Sequence, residues 1–246
     1  MPRYDFRTAR LYINAPLATG ATLALDRSQS HYLRRVLRLK DGQDILVFNG
    51  HDGEWRAAIE GGTREVALRL GECTRPQTAA GDLHYLFAPL KSARLDYMVQ
   101  KAVEMGASRL QPVLTQHGQV ARVNLDRMRA NAIEAAEQCG ILSLPEIAAP
   151  LSLTQALSGW EGERHLVFCD EAADVANPLA ALAAVPQRAP LAVLIGPEGG
   201  FAADERTALL KLPHVVRLAL GPRILRADTA AVAALALVQS VIGDWR

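Results

Sequence analysis

The sequence predicts a two-domain α/β chain, in which a small β-rich domain precedes a larger domain built on a parallel sheet. Two observations predict this fold. From Leu11 to about Leu70, short apolar runs separated by turn residues indicate strands, interrupted by one helical stretch around SQSHYLRRVLRL. After about residue 82, apolar runs alternate with helical stretches, a pattern typical of parallel strands covered by helices.

The first region is expected to form a barrel-like module. Its strand candidates are LYINAPL, DILVFNGHDGEWRAAIE and TREVALRL. The segment GECTRPQTAAG that follows collects Pro, Thr, Gly and small residues, which is typical of an exposed linker. We therefore expect domains at residues 1–72 and 82–246, with a linker over 73–81.

The second region supplies the parallel sheet. Its strand candidates are DLHYLFAPL, RLQPVLT, RHLVFCD, LAVLIG and VVRLAL, and its helix candidates are RLDYMVQKAVEMGA, LDRMRANAIEAAEQCG, ADERTALLKL and ADTAAVAALALVQSVI. Ligands of such sheets bind outside the carboxyl ends of the strands. The last helix candidate is apolar nearly all round, so it is either a central core helix or the seam of a homodimer.

Composition restricts the partners of the chain. Half of the 246 residues are hydrophobic and the formal net charge is +1, so a nucleic acid must be met by a local basic patch. The three cysteines lack zinc or disulfide spacing, which indicates a reducing cytosol and no metal. The N-terminus lacks an apolar signal region and the most apolar stretch, residues 229–242, is too short to span a bilayer, so no membrane partner is expected.

The stretch SQSHYLRRVLRLKDG gathers basic residues. If it is helical, one face carries, within an arc of about 100 degrees, His31, Arg34, Arg35 and Arg38, and the opposite face carries Leu33, Val36 and Leu37. A solvated charged face is one interpretation. Contact with phosphate is the other, because a guanidinium binds phosphate oxygens in bidentate fashion. The lack of interleaved acidic residues favours phosphate contact, whereas His31 is expected to cap or pack.

Two glycine-proline loops each follow a strand candidate. The first loop, Gly196–Gly200, follows LAVLI, and the second loop, Gly221–Arg226, follows VVRLAL. The first loop matches neither a dinucleotide fingerprint nor a P-loop, and its Glu198 and Pro197 oppose phosphate binding. A rigid glycine-rich backbone can instead read a purine edge, so adenosine recognition fits, although a simple tight turn is the competing interpretation.

Several motifs resemble, in order and spacing, those of one family. HYLRRVLRL, VQKAVEMGASRLQPV, EAAEQCG, LPEI, LIGPEGGFAADE and LALGPRILRADTA are similar to motifs of the bacterial ribosomal RNA small subunit methyltransferase E family, which methylates N3 of a uridine in 16S rRNA. The resemblance covers nearly the whole chain from Arg10 onward. It implies a SPOUT-type α/β domain with a deep trefoil knot, an N-terminal PUA-like RNA-binding domain, S-adenosylmethionine as cofactor, and a cytoplasmic homodimer that acts on the 30S ribosomal subunit.

The resemblance also implies the residues of the site. The cofactor residues are expected to be Leu194, Ile195, Gly196, Glu198, Gly199, Gly200, Leu220, Gly221, Arg223, Ile224, Leu225, Arg226 and Thr229. RNA contact is expected from Arg10, His31, Arg34, Arg35 and Arg38. As N3 loses its proton, Arg10 or Arg226 is expected to stabilise the negative charge on the flanking carbonyl oxygens, and Glu198 or Asp228 is a candidate base.

The chain departs from the family pattern at five positions, which are Gln116, His117, Ile141, Ser143 and Asp228. These departures are expected to affect RNA contact in the second domain and not the cofactor site. Two other functions remain open at this stage: methylation of another RNA, and a non-catalytic role in RNA binding or ribosome assembly. A nucleotide-dependent oxidoreductase is disfavoured by the chemistry of the first loop.

Overall fold

The structure is a computed structural model that describes residue 5 and residues 7–62, 65–173 and 177–245. The chain divides into two compact units. The first unit comprises Met1–Ala79 and Ala136–Leu144, and the second unit comprises Ala80–Ala135 and Pro145–Arg246. The segment Ala136–Leu144 is thus part of the first unit although it follows the start of the second in sequence.

The first unit is built on a five-stranded sheet. Its strands are β1 (Arg10–Tyr12), β2 (Thr22–Ala24), β3 (Asp44–Phe48), β4 (Glu54–Glu60) and β5 (Ala67–Arg75), in the spatial order β1-β3-β4-β5-β2. Strand β1 is parallel to β3, and the other pairs are antiparallel. Alternating side chains of these strands form the core of the unit, in which Leu33, Ile45, Ile59 and Leu68 are fully buried.

Strand β5 extends further than the sequence indicated. It includes Cys73 and ends at Arg75, within the segment predicted as a linker. Pairing of Trp55 with Cys73 and of Glu54 with Arg75 extends the sheet to this point. The domain boundaries at residues 72 and 82 stay a prediction.

The basic stretch is not one regular helix. Helix α1 (Arg27–His31) is capped by Asp26 and continues directly into a single π-helical turn, Tyr32–Val36. Arg38 then has a φ of 57°, in the left-handed region that ends a helix. The predicted division into a basic and an apolar face was wrong at Val36, which is 59% exposed, because Val36 lies within the π turn, where the angle between successive side chains differs from that of an α-helix.

The second unit carries a parallel sheet, as predicted. Its strands are β6 (Leu83–Phe87), β7 (Arg109–Leu114), β8 (Glu146–Ile147), β9 (Leu151–Ser152), β10 (His165–Cys169), β11 (Leu191–Ile195) and β12 (Val215–Leu218). The spatial order is β12-β10-β11-β6-β7-β8, and β9 also pairs with β7. All of these pairs are parallel, so the carboxyl ends of β12, β10, β11, β6 and β7 lie at one edge.

Helices connect and cover these strands. They are α2 (Ser92–Glu104), α3 (Leu125–Cys139, whose last turn belongs to the first unit), α4 (Leu153–Ser158), α5 (Pro178–Ala183), α6 (Ala203–Leu209) and α7 (Ala227–Val241). Helix α7 packs on α2, α5 and β11, with Ala234, Leu235 and Val238 fully buried. It is therefore a core helix of this unit, and a second role as a homodimer seam stays a prediction.

The α/β fold with a parallel sheet and a separate small N-terminal β domain is confirmed. The trefoil knot implied by the resemblance stays a prediction. No helix in the described part of the chain has the length and hydropathy needed to cross a membrane. Within the same residues, no three His, Cys, Asp or Glu side chains are grouped so that they could bind a metal ion.

Candidate active site

The first loop turns sharply at the end of β11. Its turn is closed by the Gly200 amide, which donates to the Pro197 carbonyl at 2.9 Å, and Gly200 has a φ of 72° that an L side chain rarely adopts. Phe201 folds back so closely that a Cβ on Gly196 would lie 2.4 Å from its ring atom Cε2. Gly200 is thus required by the backbone path and Gly196 by the close approach of Phe201.

Residues after β7 support the first loop and the helix behind it. A ring nitrogen of His117, Nδ1, lies 3.1 Å from the Gly200 carbonyl oxygen, and the Gln116 amide donates to Glu205 of α6 at 2.9 Å. The Gln116 side chain also donates to Asp204, which contributes to holding the pKa of Asp204 below its usual value. Gln116 and His117, whose departures were expected to affect RNA contact, therefore contact the first loop of the candidate cofactor site and helix α6.

The second loop follows β12 and leads into α7. Gly221 has a φ of 96°, and the side chain of Ile224 is 96% exposed. Arg223 and Arg226 are also exposed, and Arg226 occupies the N-cap position of α7. The Thr229 amide, in the first turn of α7, donates to the Asp228 carboxylate at 2.9 Å.

A third segment contributes to the site, and sequence analysis missed it. Strand β10 lies between β11 and β12, so the two loops are separated by the end of β10 and do not follow neighbouring strands. Asp170 follows this strand, is buried, and accepts hydrogen bonds from Arg206 at 2.9 and 3.2 Å and from Arg217 at 2.9 Å. The aspartate at the end of RHLVFCD was the available sequence signal.

The charge of Asp170 is stabilised by its partners. Burial raises the pKa of its carboxyl, but the hydrogen bonds from Arg206, Arg217 and the Ala172 amide outweigh burial and hold the pKa below its usual value. Burial alone raises the pKa of the neighbouring Cys169 thiol to about 12, so this thiol is neutral at physiological pH. The end of β10 is thus a fixed anionic site flanked by two guanidinium groups.

The three segments surround one large cavity of about 370 Å³ at the carboxyl edge of the sheet. Of the predicted cofactor residues, the cavity is lined by Ile195, Gly196, Glu198, Gly200, Leu220, Gly221, Arg223, Ile224 and Leu225. The predicted residues that do not line it are Leu194, Gly199, Arg226 and Thr229. The lining residues that were not predicted include Phe168, Cys169, Asp170, Glu171, Ala172, Phe201 and Arg206.

The lining of the large cavity combines three kinds of group. Apolar side chains such as Phe168 and Leu225 offer surfaces for a flat ring, and the glycine-rich turns expose backbone amides and carbonyls. Glu171 and Glu198 add carboxylates that would attract a cationic ligand. The cavity therefore suits a ligand with an aromatic ring at one end and a positive charge elsewhere.

The basic residues of the first unit have different environments. His31, Arg35 and Arg38 are exposed, as RNA contact would require. The side chain of Arg34 is only 9% exposed, and it donates to Asp41 and to the carbonyls of Leu39 at 3.0 Å and Gly61 at 2.6 Å. These contacts favour a structural role for Arg34 in closing the turn that precedes β3.

Arg10 is also engaged within the first unit. Its guanidinium is buried, bonds to Glu54 at 2.8 Å, and lies 4.4 Å from the centroid of the Phe48 ring. It also donates to the carbonyls of Ala136, of Glu137 at 3.1 Å and of Ile141 at 3.2 Å. These contacts favour a structural role for Arg10 over the catalytic and RNA-binding roles predicted for it.

Two family models match the chain. The model of an RNA methyltransferase domain matches residues 77–239, and that of an RNA methyltransferase PUA domain matches residues 25–70. The ribosomal RNA small subunit methyltransferase E of Rickettsia conorii is 30% identical over 94% of each chain. The protein of the same name from Synechocystis is 29% identical over 95% of this chain and 78% of its own length.

Similar solved structures indicate the same family as these relatives. A ribosomal RNA small subunit methyltransferase E from Neisseria gonorrhoeae, bound to S-adenosyl methionine, matches with a TM-score of 0.87 and 25% identity over 98% of this chain and 100% of that one. A putative methyltransferase from Legionella pneumophila, in complex with the cofactor SAM, matches with a TM-score of 0.81 and 28% identity over 95% and 98% of the two chains. The chain described here belongs to the ribosomal RNA small subunit methyltransferase E family.

Proposed function

We propose that this chain uses S-adenosylmethionine to methylate N3 of a uridine in the 16S rRNA of the small ribosomal subunit. Membership of the family supports the reaction class, and the names of the relatives support the small-subunit rRNA. The observation that carries the proposal is the large cavity, which the two glycine-proline loops and the end of β10 form together. Related structures bind S-adenosylmethionine.

The lining of the large cavity fits this cofactor. Its volume of about 370 Å³ is in the range of roughly 300–1,000 Å³ that is usual for small-molecule sites. Phe168 and Leu225 offer apolar contact to an adenine ring, and Glu171 and Glu198 offer carboxylates to the positive sulfonium and ammonium groups. Neither a phosphate nor a metal ion is needed to explain the residues present.

When bound, S-adenosylmethionine supplies an electrophilic methyl group and leaves as S-adenosylhomocysteine, with the electron pair of the broken carbon–sulfur bond on sulfur. The protein must position the uridine so that N3 faces this methyl group, and N3 must lose its proton. Because N3 lies on the Watson–Crick edge, the target base must be unpaired in the bound RNA. Negative charge then spreads onto the two flanking carbonyl oxygens, where hydrogen-bond donors stabilise it.

Other parts of the expected assembly belong to the same proposal. The first unit is proposed to contact rRNA through Arg35, Arg38 and His31, which are exposed. Arg226, exposed at the start of α7, stays a candidate catalytic residue. A cytoplasmic homodimer is proposed as well, and the almost fully exposed Ile224 of the second loop is an apolar surface that a second chain would cover.

Reverse transcription of 16S rRNA tests the proposal in cells. An N3-methyl group blocks base pairing, so the polymerase should stop at one uridine in rRNA from wild-type cells and read through it in a strain that lacks the gene. Restoring the gene should restore the stop. Read-through of 16S rRNA in both strains would refute the assignment. If a stop that depends on the gene were found in another RNA instead, that RNA would be the substrate.

Calorimetry with S-adenosylmethionine separates an enzyme from a binding factor that has lost turnover. The purified chain is expected to bind the cofactor with a measurable heat. Absence of binding would contradict the assignment of the large cavity and would favour a non-catalytic role in RNA binding or ribosome assembly.

A further inference from the structure

A second, smaller cavity of about 110 Å³ lies next to the large cavity. It is lined by Pro89, Leu90, Lys91, Arg94, Gln119, Val120, Pro197 and Glu198. Pro197 and Glu198 also line the large cavity, so the first loop forms a wall between the two. A group held in the small cavity is therefore adjacent to whatever occupies the large one.

Sheet topology places the small cavity at a point where ligands bind. The chain leaves β6 toward β7 on one side and leaves β11 toward β12 on the other, and β6 and β11 are neighbours. In parallel sheets, such diverging connections open a crevice at the carboxyl edge, which is the usual position of a ligand. The residues that follow β6 and β11 form this crevice.

The wall between the cavities carries one ion pair. Nη1 of Arg94, in α2, donates to the Glu198 carboxylate of the first loop. The two side chains are 40% and 38% exposed, and ion pairs this exposed contribute little to stability. Stabilisation of the fold therefore does not account well for this pair. Its other effect is to hold the Arg94 guanidinium at the rim of the small cavity.

The lining of the small cavity matches a uracil ring. Leu90, Val120 and the two prolines offer apolar contact to a flat ring, and Lys91, Arg94 and Gln119 offer hydrogen-bond donors. Uracil presents two carbonyl oxygens beside N3, whereas cytosine presents one oxygen and an amino group that needs an acceptor. Side-chain donors in this lining outnumber side-chain acceptors, which are the Glu198 carboxylate and the Gln119 amide oxygen, so the lining favours the two carbonyl oxygens of uracil.

We propose that the small cavity binds the target uracil and that Arg94 is a catalytic residue that donates hydrogen bonds to a carbonyl oxygen beside N3. The proposal rests on the proposed function. The N3–H bond breaks, the proton passes to solvent water, and the electron pair of that bond spreads over N3 and the two oxygens. Arg94 stabilises this charge, and Glu198 positions Arg94.

Substitution of Arg94 tests the proposal in the full-length chain with 30S subunits as substrate. Loss of one donor to a developing oxyanion lowers kcat by about 10²–10³-fold. Arg94→Gln should lower the single-turnover rate by about this factor at neutral pH and shift the pH–rate profile to higher pH, because the uracil anion then forms less readily. Arg94→Lys should recover part of the rate.

A matched control and a binding measurement complete the design. Arg109 bonds to Glu146 in another partly exposed ion pair, at the opposite edge of the same sheet, and Arg109→Gln should keep the wild-type rate. The dissociation constant for S-adenosylmethionine should change much less than the rate in Arg94→Gln, since Arg94 does not itself line the large cavity and contacts it only through Glu198.

Each outcome separates the two proposals. If the wild-type chain does not methylate N3 of uridine, the proposed function fails. If the wild-type chain does so and Arg94→Gln has the same rate and pH profile, the assignment of Arg94 is refuted. A loss of cofactor affinity equal to the loss of rate would also refute it, because Arg94 would then act by ordering the first loop.

Discussion

Replacement of Arg10 by alanine is expected to destabilise the first unit rather than to impair chemistry directly. Arg10 and Glu54 are both buried, with side chains 2% and 4% exposed. Removal of one member of a buried ion pair costs about 3–5 kcal/mol. Because Arg75 would still bond to Glu54 at 2.6 and 2.9 Å, the lower limit applies, and we expect a loss of about 3 kcal/mol in the free energy of unfolding.

The free energy of unfolding can be measured for this unit alone. Trp55 belongs to the first unit, whereas Trp160 and Trp245 belong to the second. When these two are replaced by phenylalanine, the fluorescence of Trp55 during urea unfolding reports on the first unit. Arg56→Ala is the matched control, since Arg56 is 41% exposed and should cost less than about 1 kcal/mol. An Arg10→Ala chain of unchanged stability that has lost methylation would refute the structural assignment.

The pH dependence gives a second test of the same ion pair. Burial raises the pKa of Glu54, but hydrogen bonds and the charges of Arg75 and Arg10 outweigh burial, so the pKa is below its usual value in the folded state. A lowered folded-state pKa means that the stabilisation is present above the unfolded-state pKa and is lost as pH falls through the folded-state pKa. The penalty of Arg10→Ala should therefore shrink in acid.

Three further substitutions have distinct expected results. Gly196→Ala places a Cβ 2.4 Å from the ring of Phe201, and such overpacking costs about 1–3 kcal/mol. Because both residues line the large cavity, the affinity for S-adenosylmethionine measured by calorimetry should fall about tenfold. Unchanged affinity would contradict the assignment of this cavity to the cofactor. Asp170→Asn should lower the melting temperature at neutral pH, and the difference from the wild-type chain should shrink as pH falls through the lowered folded-state pKa of Asp170. If this difference did not depend on pH, the charge of Asp170 would not be its cause. Arg35→Ala should weaken binding to 30S subunits and lower the slope of log binding constant against log salt concentration by the equivalent of about one phosphate contact. An unchanged slope would mean that Arg35 does not contact the RNA.

Long periodic elements could be predicted from the sequence, and short ones could not. The four helix candidates of the second region correspond to α2, α3, α6 and α7, because in each of them apolar residues recur at helical spacing over about two turns or more. The two-residue strands β8 and β9 and the six-residue helices α4 and α5 were missed, since so few residues carry no periodicity. The π turn at Tyr32–Val36 broke the regular spacing on which the basic face had been predicted.

The residues of the candidate site could be predicted from the sequence only where they lie in or next to a recognisable motif. The glycine-proline loops were visible, and nine predicted residues line the large cavity, seven in these loops and two, Ile195 and Leu220, directly before them. The part played by Asp170 depends on the position of β10 between β11 and β12, which is a long-range pairing that sequence spacing does not reveal. The burial of Arg10 depends in the same way on residues more than a hundred positions away, such as Ile141.

The most direct test of the central claim is the identity of the methylated nucleoside. Purified protein, isotope-labelled S-adenosylmethionine and 30S subunits from a strain that lacks the gene would be incubated, and the nucleosides of 16S rRNA analysed by mass spectrometry. We expect the label to appear in 3-methyluridine, at about one per subunit, and to be absent when the cofactor is omitted. Label in any other nucleoside, or no label in RNA, would contradict it.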